Sequence, residues 1–241
     1  MSGWRARLGF MIPPGNPTVE PEMIALAPSG VSVHFQRMVA RGVTGSLDGQ
    51  AERNRMMVDN IEATIEMLAL VNPAVVVLAH TATSYDLGRD GEAALLARLE
   101  KFSGVRVITA FGCVLQALER LGARRVALGA PYSAETTQQG RRHLEASGIE
   151  VVHSDNLKGV TNIYDETPER AYTLARMVDR PEADAIFLSG TGMPTLPVLQ
   201  ALEDDLGKPV ISSATAMMWR ALRIAGVGAN VPGFGRLLAM P

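Results

Sequence analysis

The chain has 241 residues, of which 47% are hydrophobic and 20% charged, and its formal net charge is −2. This composition is ordinary for a globular protein and gives no electrostatic argument for nucleic acid or a membrane surface as partner. One cysteine excludes an intrachain disulfide and a cysteine zinc cluster, and Asn72-Pro73 interrupts the best apolar run before it reaches the ~18 residues of a membrane span. Met1-Ser2-Gly3-Trp4-Arg5 leads into an apolar segment without a signal-peptide pattern, so a cytoplasmic location is expected.

Arg7 to Ile12 reads as a short strand stopped by Pro13-Pro14-Gly15-Asn16-Pro17. A helix is expected from Thr18, capped by its own hydroxyl, with Glu20 and Glu22 in the first turn. Val31 to Met38 alternates like a strand, and Leu47 to Leu70 reads as one long helix burying Met56, Ile61, Ile65 and Leu68. The run Val75-Val76-Val77-Leu78-Ala79 is apolar and β-branched throughout, the pattern of a strand covered on both faces of a parallel sheet. A helix over 90–102, a strand from Val105 to Thr109 and a helix from Phe111 to Leu121 follow, with Gly122 as terminator.

A second series then begins. Arg125 to Ala130 is a strand ending in Pro131-Tyr132, followed by a helix over 133–146 that Gly148 ends. Ile149 to Val152 is a strand, Thr167 to Val178 a helix, 185–189 a strand and 196–206 a helix. Pro209 to Ser212 is the last strand and Ala214 to Ala225 the last helix.

Strand and helix alternate throughout, so the class is α/β with mainly parallel sheets. The halves echo each other: Arg7 to Pro13 resembles Arg125 to Pro131, and Val75 to Ser84 resembles Ala185 to Gly192. The expected architecture is two pseudo-symmetric domains, each a four-stranded, mainly parallel sheet flanked by helices. The expected division is 1–110 plus 214–241 for one domain and 111–213 for the other. Ligands of open α/β sheets bind beyond the carboxyl ends of the strands, which places a site in the cleft between the domains.

The residues at those strand ends are the candidates for chemistry. Asn16, after Pro13 and Pro14, carries an amide able to donate to a carboxylate, or it caps the following helix. His80 ends the central strand and is followed by Thr81-Ala82-Thr83-Ser84, small residues whose backbone N–H groups suit an anion. His80 itself is a proton carrier or a hydrogen-bonded structural histidine. The partner loop, Ser189-Gly190-Thr191-Gly192-Met193-Pro194, has the spacing of neither a dinucleotide fingerprint nor a P-loop, and the alternative is a tight strand-to-helix turn. Tyr132 occupies the strand end symmetric to Pro14. Cys113 opens a helix, where a small buried hydrophobe is the commoner role, and His34, His143 and His153 have no partners at ligand spacing.

Taken together, these residues resemble the aspartate/glutamate racemase superfamily, in the branch of maleate cis–trans isomerases and arylmalonate decarboxylases. Pro13-Pro14-Gly15-Asn16-Pro17-Thr18-Val19-Glu20 is similar to the isomerases' opening motif, and the stretch from Ile186 through Arg236-Leu237 is similar to the decarboxylases. The resemblance implies two pseudo-symmetric domains around a small diacid, no metal or organic cofactor, and an open question of homo-oligomer formation. It implies Asn16, Tyr132 and Asn162 as carboxylate ligands, with Pro14, Thr81, Ala82, Gly190 and Gly192 lining the substrate. The family's cysteines fall at His80 and within 190–192, where this chain has none. A cysteine-free subset of the family resembles proteins of ectoine catabolism. The expected function is therefore a cofactor-independent decarboxylase or isomerase/racemase of a small carboxylic acid working through an enediolate, with His80 as proton carrier and Thr191 facing it. The alternative is a carboxylate-binding protein that has lost turnover with the thiols.

Overall fold

The structure is a computed structural model that describes residues 3–240. Met1 and Ser2, the first two of the five residues on which the expectation of no signal peptide rests, lie outside the described residues, as does Pro241. The described residues form eight strands in two four-stranded, all-parallel sheets. In the first, β1 (Ala6–Ile12), β2 (Val31–Arg37), β3 (Val75–Leu78) and β4 (Val107–Thr109) are ordered β2-β1-β3-β4. In the second, β5 (Arg125–Ala130), β6 (Glu150–Asn156), β7 (Ala185–Leu188) and β8 (Val210–Ser212) repeat the order as β6-β5-β7-β8. Among the described residues no helix is long and apolar enough to cross a membrane.

The central strands β3 and β7 are buried along their whole length. Their β-branched and aromatic side chains pack under helices on both faces, as the uninterrupted apolar runs require. Helix α5 (Ala110–Leu121), which follows β4, packs on β8 of the other sheet, and α9 (Ser213–Ile224), which follows β8, packs on β3. The two helices also pack on each other, so the sheets share a continuous core that includes Phe111, Val114, Met217 and Met218.

Several local expectations are corrected. The segment 47–70 is two helices, α2 (Gln50–Asp59) and α3 (Ile61–Ala69), broken at Asn60, and Met57 rather than Met56 is the buried methionine. The helix expected over 90–102 begins directly after His80, as α4 (Thr81–Ser103), with a bend at Gly88 where φ is +65°. Thr18 does not cap α1 (Val19–Leu26) with its hydroxyl, which donates instead to Gly192 O at 2.9 Å. The cap is Asn16, whose Oδ1 accepts from Thr18 N and Val19 N at 2.8 and 2.9 Å. The remaining helices are α6 (Ala134–Ala146), α7 (Pro168–Val178), α8 (Leu196–Leu206) and α10 (Arg236–Ala239), the last without a sequence signal strong enough to read.

Candidate active site

The carboxyl ends of β1, β3, β5 and β7 meet where the two sheets face each other. The register fixes the correspondence: Met11 pairs with Leu78 and Gly129 with Leu188, so His80 and Gly190 lie two residues beyond equivalent pairs. Gly190 has φ +104°, a conformation glycine adopts readily, and a Cβ there would come within 3.3 Å of the Tyr132 hydroxyl.

The loop 189–192 is the hub. Asn16 Nδ2 donates to Thr191 O at 3.2 Å across the seam between the sheets. Because Asn16 Oδ1 already accepts two backbone N–H groups, the amide orientation is determined and its second N–H proton is free of protein partners among the described residues. Thr191 Oγ1 donates to Ala79 O at 3.1 Å, so its proton holds the loop against the end of β3. Tyr132 lies edge-on to Tyr85, with its hydroxyl on Ser189, and Ser189 also bonds the Tyr85 hydroxyl at 2.8 Å. Burial pushes the Tyr132 phenol up, so it stays protonated and a donor.

His80 is 6% exposed and stands at the N-cap position of α4. Its Nδ1 meets Thr83 Oγ1 at 2.8 Å, and its Nε2 has no partner among the described residues. Burial, and secondarily the charge of Arg53, hold the ring down at about 4, so it is neutral near pH 7. Which proton the pair shares decides the chemistry. With Nδ1–H donating to Thr83, Nε2 offers a lone pair; with the hydroxyl donating, Nε2 offers a proton. The N–H groups of Thr81 and Ala82, in the first turn of α4, have no intrahelical acceptor and stand at the positive end of the helix. Thr81 Oγ1 meets Ser213 Oγ at 2.9 Å, tying the starts of α4 and α9 together.

A cavity of ≈ 30 Å³ lies over this arrangement, lined by Pro13, Pro14, Met57, His80, Arg53 and Tyr164, with Ala40, Thr44 to Ser46, Gln50, Asn54 and Ile163 completing it. Its roof is a seam between two loops. Asn162 Nδ2 donates to Thr44 O at 3.2 Å, Leu47 N to Thr161 O at 3.3 Å, and Ile163 N to Gly45 O at 2.8 Å. A Cβ on Gly45 would overlap Asn162 Oδ1, so the seam depends on that glycine. The volume suits a water molecule or two, so a larger ligand enters when the seam lifts.

Of the residues singled out in the sequence, Pro14 and His80 line the cavity. Asn16, Thr81, Ala82, Tyr132, Asn162, Gly190, Thr191 and Gly192 are not among the residues that line it. Sequence reasoning missed Arg53, Asn54, Met57 and Tyr164. The signal was present for α2: Arg53 precedes Met57, Ile61 and Ile65 at four-residue spacing, so a charged side chain occupies the stripe that otherwise packs the core. A wider cleft of ≈ 490 Å³, bordered by Cys113, Glu92 and Arg220, holds none of the candidate residues.

A family model described as arylmalonate decarboxylase matches residues 8–238. The chain is 30% identical to a maleate isomerase of Geobacillus stearothermophilus over 97% of each chain. It is 34% identical to an arylmalonate decarboxylase of Bordetella bronchiseptica over 68% of this chain and 70% of the relative. Among solved structures, a maleate cis–trans isomerase mutant of Nocardia farcinica with a covalently bound succinylcysteine intermediate superposes with a TM-score of 0.88 at 27% identity, covering 97% of this chain and 98% of the other.

Proposed function

Given that the chain belongs to the arylmalonate decarboxylase family, we propose that it is a cofactor-independent enzyme that acts on a small dicarboxylic acid by proton transfer or decarboxylation through an enediolate. The observation that carries this reading is His80, a neutral imidazole that lines a cavity at the end of the central strand and whose Nε2 has no partner among the described residues. The thiol adduct of the Nocardia structure needs a cysteine, and Cys113 is buried in α5 away from this cavity, with burial holding its thiol up. Residues 1–110 with 214–241, and 111–213, are taken as the two halves meeting at the site, a division the crossed packing of α5 and α9 supports.

In the proton-transfer direction a substrate Cα–H bond breaks, the proton passes to Nε2, and the electron pair moves into the adjacent carboxylate as an enediolate. Return of the proton to carbon regenerates an acid. In decarboxylation the C–C bond to the departing carboxylate breaks and CO₂ leaves. The same enediolate then takes a proton from Nε2–H, and the ring recovers one from solvent. In either case charge accumulates on the remaining carboxylate. In this reading the N–H groups of Thr81 and Ala82, in the open first turn of α4 after His80, and the second proton of Asn16 Nδ2 receive it once the seam lifts, since none of the three lines the closed cavity. The apolar walls from Pro13, Met57 and Ile163 disfavour a carboxylate against CO₂, which favours the second route for a malonate-type acid.

Thermal-shift measurement over small mono- and dicarboxylates, including maleate and phenylmalonate, tests the reading, because a ligand of the folded state raises Tm. A dicarboxylate that binds and is turned over supports it. Binding without detectable turnover would leave a carboxylate-binding protein, and no binding at all would contradict the assignment of the cavity.

A further inference from the structure

We propose that Arg53 is the cation that receives one carboxylate of the substrate in this cavity, with the substrate and not a protein acid as its counter-ion. The proposal rests on the reading of the cavity as the substrate site. Arg53 comes from the first turn of α2 and lines the cavity together with His80 and Tyr164. Its Nη1 donates to Asp48 O at 2.6 Å and its Nη2 to Ser46 O, both backbone carbonyls. Among the described residues it forms no ion pair, unlike Arg37, which pairs with Glu20. The nearby acid Asp86 is engaged by Asn54 Nδ2.

A guanidinium has five N–H donors, and two are used here. Three remain, Nε–H among them, and a guanidinium edge of two such donors is the fork that matches a carboxylate bidentately. A half-buried cation beside a neutral histidine and a protonated tyrosine is an electrostatic cost to the empty protein that an anion removes. The position also argues for a ligand role. Arg53 sits on the stripe of Met57, Ile61 and Ile65, where packing alone selects an apolar residue. A carboxylate on Arg53 would lie in the cavity that His80 also lines. The same anion would cancel the field that Arg53 imposes on His80, so substrate binding would raise the ring's proton affinity at the moment it is needed.

The test is isothermal titration at pH 7.5 of wild type, Arg53→Met and Arg53→Lys with maleate and phenylmalonate, each against its monomethyl ester. Wild type is expected to prefer the dianion, and Arg53→Met to lose ~10–100-fold of dianion affinity, as removal of a charge-assisted hydrogen-bond pair does. The dianion-to-monoester ratio should then collapse to a few-fold, with Arg53→Lys between the two. If Arg53 only props the loop through Ser46 and Asp48, its loss weakens dianion and monoester alike and leaves the ratio unchanged. That result overturns the proposal while the cavity assignment stands. If neither diacid binds wild type, the proposal falls together with that assignment.

Discussion

His80 and Gly190 occupy equivalent places at the ends of β3 and β7, each two residues past a pair joined in register to the neighbouring central strand. One place carries an imidazole and the other no side chain. The site is therefore chemically asymmetric on a symmetric frame, with one proton-carrying side chain where a two-base mechanism would need two.

Gly190→Ala is expected to destabilise the protein. The backbone at φ +104° is strained for any L side chain, and the new Cβ would stand 3.0 Å from Pro131 Cγ. A cost of ~1–3 kcal/mol is expected from the backbone alone. Urea denaturation reads it, and a change below a few tenths of a kcal/mol would show that the loop relaxes freely.

Asn16 separates into two functions. Its Oδ1 caps α1, and its Nδ2 reaches Thr191 O and the site. Asn16→Ala should lose ~10–100-fold of dicarboxylate affinity with the donor and at least ~1 kcal/mol of stability with the cap. Isothermal titration and urea denaturation read the two losses, and a stability loss with affinity unchanged would show that the amide acts only in packing.

The pH dependence of stability contains two opposing groups. His80 has a folded value of about 4 against 6.5, so the unfolded chain binds the extra proton and stability from this group is lost as pH falls from 6.5 through 4. Glu22, buried against Thr195 N and Leu196 N, is pushed up to about 7 from 4.5, chiefly by burial. For Glu22 the folded chain holds the extra proton, so its contribution is present below pH 4.5 and lost as pH rises through 7. Each shift is worth ~3 kcal/mol at full extent, so the contributions of these two groups largely offset each other between pH 7.5 and 4.5. Over that range His80→Gln should gain stability as pH falls and Glu22→Gln should lose it. Chemical denaturation at several pH values checks this, and a His80→Gln curve parallel to wild type would show that the ring titrates alike folded and unfolded.

Cys113 should be dispensable. It is 1% exposed in α5, and burial holds its thiol up, so it is a poor nucleophile. Cys113→Ala should retain turnover within about twofold at a stability cost of ~1 kcal/mol. Loss of most activity in a folded Cys113→Ala protein would make it the nucleophile.

The sheets were legible because β3 and β7 are unbroken apolar runs, and the echo of Arg7 to Pro13 in Arg125 to Pro131 marks equivalent strands in the two sheets. His80 was legible as a titratable residue ending such a run. The cavity's other wall was not. Thr44, Gly45, Ile163 and Tyr164 come from loops of opposite halves joined only by the seam at Asn162, a pairing 118 residues apart that no periodicity records. The break at Asn60 was hidden because the buried stripe runs through it at helical spacing. Asn16 was readable both as a cap and as a donor, and the fold uses it as both.

The most direct test is the steady-state rate of His80→Ala on the dicarboxylate that the binding screen identifies. His80 lines the cavity and its ring holds α4 only through Thr83, so the variant should fold and bind that acid nearly as well as wild type. Loss of a proton carrier from a rate-limiting step lowers the rate by ~10²–10⁴, and that is the result expected. A rate within a few-fold of wild type would show that His80 is structural and that proton transfer in this cavity does not pass through it.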